Sequence, residues 1–171
     1  NEKKFYDIVI NASGPWASRL LDSSNIASKN DLRYIKGSHL VLNRRIKNNF
    51  LFQPYGDDRV IFLLNYFNKT LLGTTEIEVK TPNNPICSEE EIKYLLESVN
   101  SFLDSPIQFN EINETFSGVR PIVLNKSISN ISKTSRESAL EVDNKLINIF
   151  GGKWTTAISL ARKCEKITHK L

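Results

Sequence analysis

Between Tyr34 and Thr75 four strand-like stretches follow one another closely: "SHLVLNRR", "NFLFQPY", "DRVIFLLNYF" and "TLLGTT". Asn-Asn, Gly-Asp-Asp and Asn-Lys punctuate them, and such spacing predicts an antiparallel meander. The clearest helix comes next, in "SEEEIKYLLESVNSFL", where Ile92, Leu95, Leu96, Val99 and Leu103 form one apolar stripe. Ser88 and Glu91, three residues apart at its start, make a capping box. The stripe is expected to pack on a face of the sheet formed by residues 36 to 75. The fold class is therefore α+β, a mixed α/β chain.

The flanking segments carry a second pattern. "YDIVINASGPWASRLLDSS" reads as a strand, a Gly14-Pro15 turn and a helix start, with Trp16, Leu20 and Leu21 on one side. "INETFSGVRPIVL" reads as a strand ending in Gly-Val-Arg-Pro, because Pro121 should stop ordinary pairing. A polar, Ser-rich segment from Asn125 to Thr134 reads as a surface loop. "SALEVDNKLINIF" predicts a hairpin around Asp143-Asn144. It feeds directly into "GGKWTTAISLARK", a two-glycine turn and a closing helix.

Composition narrows the function classes. A hydrophobic content of 40% and a charged content of 25% are those of an ordinary globular protein. The net charge of +4 comes from 23 Lys and Arg spread along the chain, with no basic stripe, so nucleic-acid binding is unsupported. Cys87 and Cys164 lack metal-type or redox spacing, which predicts a reduced, cytoplasmic setting and no metal site. No apolar run approaches the roughly 20 residues of a membrane span. The opening "NEKKFYDIVINASG" is too short in its apolar part for a signal peptide. The chain contains no Met, which suggests a piece of a longer protein.

Several short motifs point towards chemistry. Two glycines cost backbone entropy, so Gly151 and Gly152 between strand and helix ask for a reason. Such a turn exposes N–H groups with no intrahelical partner, at the positive end of the helix dipole. A phosphate or a flat cofactor can approach it closely, Lys153 adds a full charge, and Thr155 and Thr156 add hydroxyls. The spacing is not that of a P-loop. In "FSGVRP", Arg120 on a rigid strand end can clamp a carboxylate, phosphate or alkoxide. In "KGSH", His39 can serve as a base near neutral pH. The ordinary fates of these residues are a solvated lysine, a surface salt bridge and a structural histidine. His169 near a helix end and Arg136 after the Ser-rich loop are, by default, exposed.

Taken in order, "NASGPW", "YIKGSHLVL", "LLGTTEIE", "FSGVRP" and "FGGKWTT" resemble the FAD-dependent glycerol-3-phosphate dehydrogenases. These belong to the wider flavoenzyme family that includes the D-amino-acid oxidases. Ser13, Glu76 and Trp154 depart from the family's usual Thr, Asp and Leu. The G-x-G-x-x-G pyrophosphate motif that opens the family does not occur in the chain. The resemblance implies that residues 1–35 finish an FAD-binding domain, 36–116 form an antiparallel substrate domain, and 117–171 return to the FAD domain.

It also implies a reaction, the oxidation of sn-glycerol 3-phosphate to dihydroxyacetone phosphate, with FAD as cofactor and quinone as electron acceptor. Arg120 would then face the substrate hydroxyl, and Lys153 would lie between substrate and flavin. His39 would be a base or orienting group and Arg136 a phosphate ligand. Gly14, Gly151, Gly152, Thr155 and Thr156 would line the cofactor. A peripheral place on the cytoplasmic face of a membrane follows from the quinone. An amine or amino-acid oxidase, or a non-catalytic domain derived from such an enzyme, is the alternative. The 171 residues alone are expected to fold at least in part, and neither to retain FAD nor to turn over.

Overall fold

A computed structural model describes residues 3–125 and 138–171. The strands are β1 (Val9–Asn11), β2 (Asn30–Leu42), β3 (Phe50–Phe52), β4 (Ile61–Tyr66), β5 (Lys69–Gly73), β6 (Ile77–Val79), β7 (Ile112–Asn125), β8 (Ala139–Asp143) and β9 (Leu146–Phe150). The helices are α1 (Ala17–Ser23), α2 (Glu89–Asn100) and α3 (Ala157–Thr168). This is the mixed α+β chain that the sequence predicts. It divides into two compact units: Asn1–Tyr34, Lys80–Pro82 and Arg120–Leu171 in one, Ile35–Val79 and Asn83–Val119 in the other.

The second of these units is built on the expected meander. Its strands lie in the order β3-β4-β5-β2-β6, and β7 also pairs with β2. Antiparallel registers run Phe50↔Leu63 between β3 and β4, Leu63↔Leu72 between β4 and β5, and Leu40↔Leu72 between β5 and β2. Alternation puts Leu40, Leu42, Ile61, Leu63 and Leu72 on one face, where they form a buried core with Leu95, Val99 and Ile107. Ile92, Leu96 and Leu103 pack at its margin, so the stripe of α2 covers the sheet. Ser88 caps the helix as predicted: the Glu91 N–H donates to Ser88 Oγ at 3.4 Å, and the Ser88 N–H donates to the Glu91 carboxylate at 2.9 Å.

The first unit is a small three-stranded sheet in the order β1-β9-β8. β1 runs parallel to β9, with Asn11 opposite Asn148, and β8 and β9 make the expected hairpin. Asn144 in its turn has φ of 50°, a left-handed value that asparagine tolerates better than most residues. Ala17, Leu21, Leu32 and Phe150 form the buried core of this unit.

Three sequence expectations need correction. Pro121 does not end its strand, since β7 continues to Asn125. A proline donates no ladder bond, and it is tolerated because β7 pairs only with β2 among the described residues. Consequently Arg120 lies within the strand and not at its end. The buried side of α1 is Ala17 and Leu21, while Trp16 and Leu20 are exposed. The Ser-rich segment after Asn125 lies outside the described residues.

The core makes a direct prediction. Leu95→Ala, at a fully buried position, should lower the unfolding free energy by about 2–5 kcal/mol. Leu51→Ala, on the exposed part of the edge strand β3, should change it by less than about 0.5 kcal/mol. Urea denaturation of both variants checks the contrast.

Candidate functional site

The parallel pair in the first unit places two turns at the same sheet edge. Asn11 and Asn148 are both buried and face each other, with Asn11 Nδ2 donating to Asn148 Oδ1 at 3.0 Å and to the Ala17 carbonyl at 3.2 Å. The Ser13 hydroxyl donates to Asn11 Oδ1 at 2.6 Å. Ser13 thus does locally what a threonine hydroxyl would do, and its departure from the resembled pattern costs no bond. Three residues beyond each asparagine stands a glycine in the left-handed region, Gly14 at φ 58° and Gly151 at φ 65°. Each turn then enters a 3₁₀ segment, Gly14–Trp16 or Trp154–Thr156, and an α-helix.

Gly152 is left-handed too, at φ 99°. A Cβ there would also come within 3.3 Å of Leu160 Cδ2. The two consecutive glycines are therefore a backbone requirement. Lys153, Trp154, Thr155 and Thr156 are exposed, so this edge presents bare backbone, a cation and hydroxyls at the start of α3. The Thr156 hydroxyl is partly engaged: it accepts from the Lys153 N–H at 3.3 Å and donates to the Lys153 carbonyl at 3.1 Å. Trp154, the bulkiest departure from the resembled pattern, is 95% exposed and displaces nothing in the core. Arg120 belongs to the same unit and is half-buried. Arg136 lies outside the described residues. His169 is exposed at the end of α3.

His39 belongs to the other unit, where aromatic packing sets its ring. It stacks on Phe116 with centroids 4.7 Å apart at 9°, and lies 5.6 Å from the Phe62 ring. Opposite His39 in the ladder is Gly73, and a Cβ on Gly73 would fall 2.4 Å from His39 Cδ2. The glycine of "LLGTT" is therefore a steric vacancy for this imidazole.

Next to it lies the most elaborate polar cluster of the unit. Glu91 is 2% exposed. Its Oε1 accepts from the hydroxyls of Ser38 at 2.7 Å and Thr75 at 2.6 Å. Its Oε2 meets Lys36 Nζ at 2.7 Å as well as the Ser88 N–H. Ser38 Oγ also lies 2.7 Å from Ser117 Oγ, and Lys36 Nζ donates to the Ile86 carbonyl at 2.6 Å. Burial pushes the Glu91 carboxyl up, but the donors Lys36, Ser88, Thr75 and Ser38 outweigh it and hold the group below its ordinary value of 4.5.

The sequence reveals Glu91 as a capping residue, because a capping box is local. It does not reveal that the other carboxylate oxygen gathers Ser38 from β2 and Thr75 from the segment after β5. Asn11, Asn148, Gly73 and Ser117 are likewise missed, since each acts through a partner distant in the chain.

Comparison with known proteins places this fold among flavoenzymes. The DAO family, described as FAD dependent oxidoreductase, matches residues 1–162. This chain belongs to that family. The mouse mitochondrial glycerol-3-phosphate dehydrogenase is 34% identical to it over 90% of this chain and 22% of that protein. The D-erythritol 1-phosphate dehydrogenase of Brucella abortus is 33% identical over 95% of this chain and 33% of that protein. Among solved structures, the Bacillus halodurans glycerol-3-phosphate dehydrogenase complexed with FAD superposes with a TM-score of 0.82 at 25% identity. That match covers 95% of this chain and 32% of the other. The chain thus spans a third or less of each of these proteins.

Two tests follow from the geometry. The depressed carboxyl of Glu91 means that the unfolded state binds its proton first as pH falls, so the stability it contributes is complete above pH 4.5 and is lost below it. Denaturation midpoints should therefore fall more steeply with acid below that pH in the wild type than in Glu91→Gln. Gly73→Ala should cost about 1–3 kcal/mol through overpacking against His39, measurable by urea denaturation.

Proposed function

We propose that the protein carrying this chain oxidises sn-glycerol 3-phosphate to dihydroxyacetone phosphate with FAD as cofactor. The observation that carries the reading is the pair of Asn-x-x-Gly turns at the carboxyl edge of the parallel strands β1 and β9. Open α/β sheets bind ligands at such edges. The residues present fit a flat ring edge: Gly151 and Gly152 carry no side chain, and Lys153 begins a 3₁₀ segment running into a 12-residue helix. When bound, FAD supplies a two-electron acceptor for the hydride that leaves the carbinol carbon. The names of the mouse and Brucella abortus relatives, at 34% and 33% identity, support a polyol phosphate as substrate.

The roles of this chain's residues follow from their chemistry. Arg120 holds the substrate hydroxyl, because a fixed guanidinium stabilises the negative charge that grows as the proton leaves. Lys153 places a charge beside the turn where the flavin edge rests. His39 is the candidate to accept or orient the hydroxyl proton, and Arg136 is the candidate ligand of the substrate phosphate. Gly14, Thr155 and Thr156 line the cofactor. A quinone is the proposed electron acceptor, with the protein peripheral to a membrane. No helix among the described residues is long and apolar enough to cross one. By this reading, residues 1–35 and 117–171 are the FAD-binding portion and 36–116 the substrate-binding portion.

The test uses the full-length, FAD-loaded protein under anaerobic conditions. Glycerol 3-phosphate should bleach the flavin, D-erythritol 1-phosphate should do so more slowly, and D-amino acids and glycine should not. Bleaching by amino acids alone would replace this reading with an oxidase. Arg120→Lys should lower turnover by at least about tenfold, since an ammonium cannot reproduce the guanidinium fork.

A further inference from the structure

The second unit contains a buried charge for which the reaction outlined above has no use. We infer that Glu91 is a positioning residue: through Ser38 and Ser117 it ties β2 to β7 beside the stacked rings of His39 and Phe116. The inference rests on the proposed glycerol-phosphate chemistry for its functional meaning, and on geometry for the clamp itself.

Proton counting orders the chain of hydroxyls. The ionised carboxylate of Glu91 only accepts, so the single proton of Ser38 points to Oε1 at 2.7 Å. Ser117, 2.7 Å from Ser38, is then the donor to it. Ser117 on β7 is thereby tied through Ser38 on β2 to Glu91 on α2. Thr75 completes the knot, accepting the Ser38 N–H at 2.9 Å while donating to the same carboxylate oxygen. The residues adjacent to the two serines touch each other. His39 follows Ser38, Phe116 precedes Ser117, and their rings stack at 4.7 Å. The hydroxyl bridge and the ring stack are thus neighbouring links between the same two strands. Hydrogen bonds to a charged group are shorter and stronger than neutral ones, which suits a link that must hold a register.

Ser38→Ala and Ser117→Ala cut the bridge while leaving Glu91 with Lys36, Thr75 and its helix cap. In the full-length, FAD-loaded protein, kcat with glycerol 3-phosphate, normalised to bound flavin and measured well below the melting temperature, should fall about tenfold in either variant. KM should stay within about threefold, and the double variant should lose no more than either single one, because the residues act through one link. Amide exchange of residues 116–119 should quicken in both single variants while that of α2 does not. A merely structural bridge would lower the melting temperature and leave kcat per flavin intact; that result, or additive losses, overturns the inference. A wild type inert towards glycerol 3-phosphate overturns the reaction on which it rests. Unchanged exchange of 116–119 overturns the clamp itself.

Discussion

An ionised carboxylate withdrawn from water is costly unless every lone pair finds a donor, and Glu91 shows how completely this fold meets that condition. Two hydroxyls, an ammonium and a backbone N–H converge on its two oxygens. Removing one partner of such a group leaves an uncompensated buried charge, which is far more damaging than losing an exposed ion pair. The donors come from β2, from the segment after β5 and from the N-cap of α2. Sheet and helix are therefore specified relative to each other by polar geometry as well as by the Leu95 and Val99 stripe. Apolar packing alone would tolerate small slips of the helix along the sheet, whereas three short bonds from Lys36, Ser38 and Thr75 to one carboxylate do not.

The first unit solves a different problem. A parallel pair such as β1 and β9 brings both carboxyl ends to one edge, so two chain segments must turn there side by side. The Asn11–Asn148 amide bond satisfies buried polar groups at that point, and left-handed glycines let each chain leave the sheet at once. The outcome is an edge whose backbone is open to solvent next to a lysine. Among the described residues the antiparallel meander β3-β4-β5-β2 shows no such parallel edge. The proposed cofactor role thus falls to one unit, and the packing of His39 belongs to the other.

What could be read from the sequence was what is local. The α2 cap, its stripe and the turn at Asp143-Asn144 each depend on residues within a few positions, and all three are present. The same locality explains the errors. Pro121 looked like a strand end because a proline cannot pair on its N–H side, but whether that side needs a partner depends on where the strand lies in the sheet. The sequence groups Trp16, Leu20 and Leu21 on one side of α1, whereas Leu21 is buried with Ala17 in the Phe150 core and Trp16 and Leu20 are exposed. Gly73 carried no readable signal at all. Its φ is ordinary, and only the imbalance between a bare Cα and an imbalanced neighbour, the His39 ring 2.4 Å from a would-be Cβ, explains it.

The motifs that carry the family resemblance can now be divided by what each letter does. In "KGSH", Lys36 and Ser38 are engaged by Glu91, and His39 is the residue proposed for chemistry. In "GTTE", Gly73 makes room for that histidine and Thr75 closes the carboxylate cluster. In "FSGVRP", Phe116 and Ser117 bind back to His39 and Ser38, which leaves Arg120 as the charged group. In "GGKWTT", the glycines meet a backbone demand and Thr156 closes on Lys153, which leaves the lysine side chain at the exposed edge. Three of these four motifs thus combine scaffold residues with a single candidate for chemistry, and "GTTE" is scaffold throughout. A substitution at a scaffold letter acts through position and one at a reactive letter acts through charge, so kcat and stability should separate the two kinds along the same short stretch of sequence.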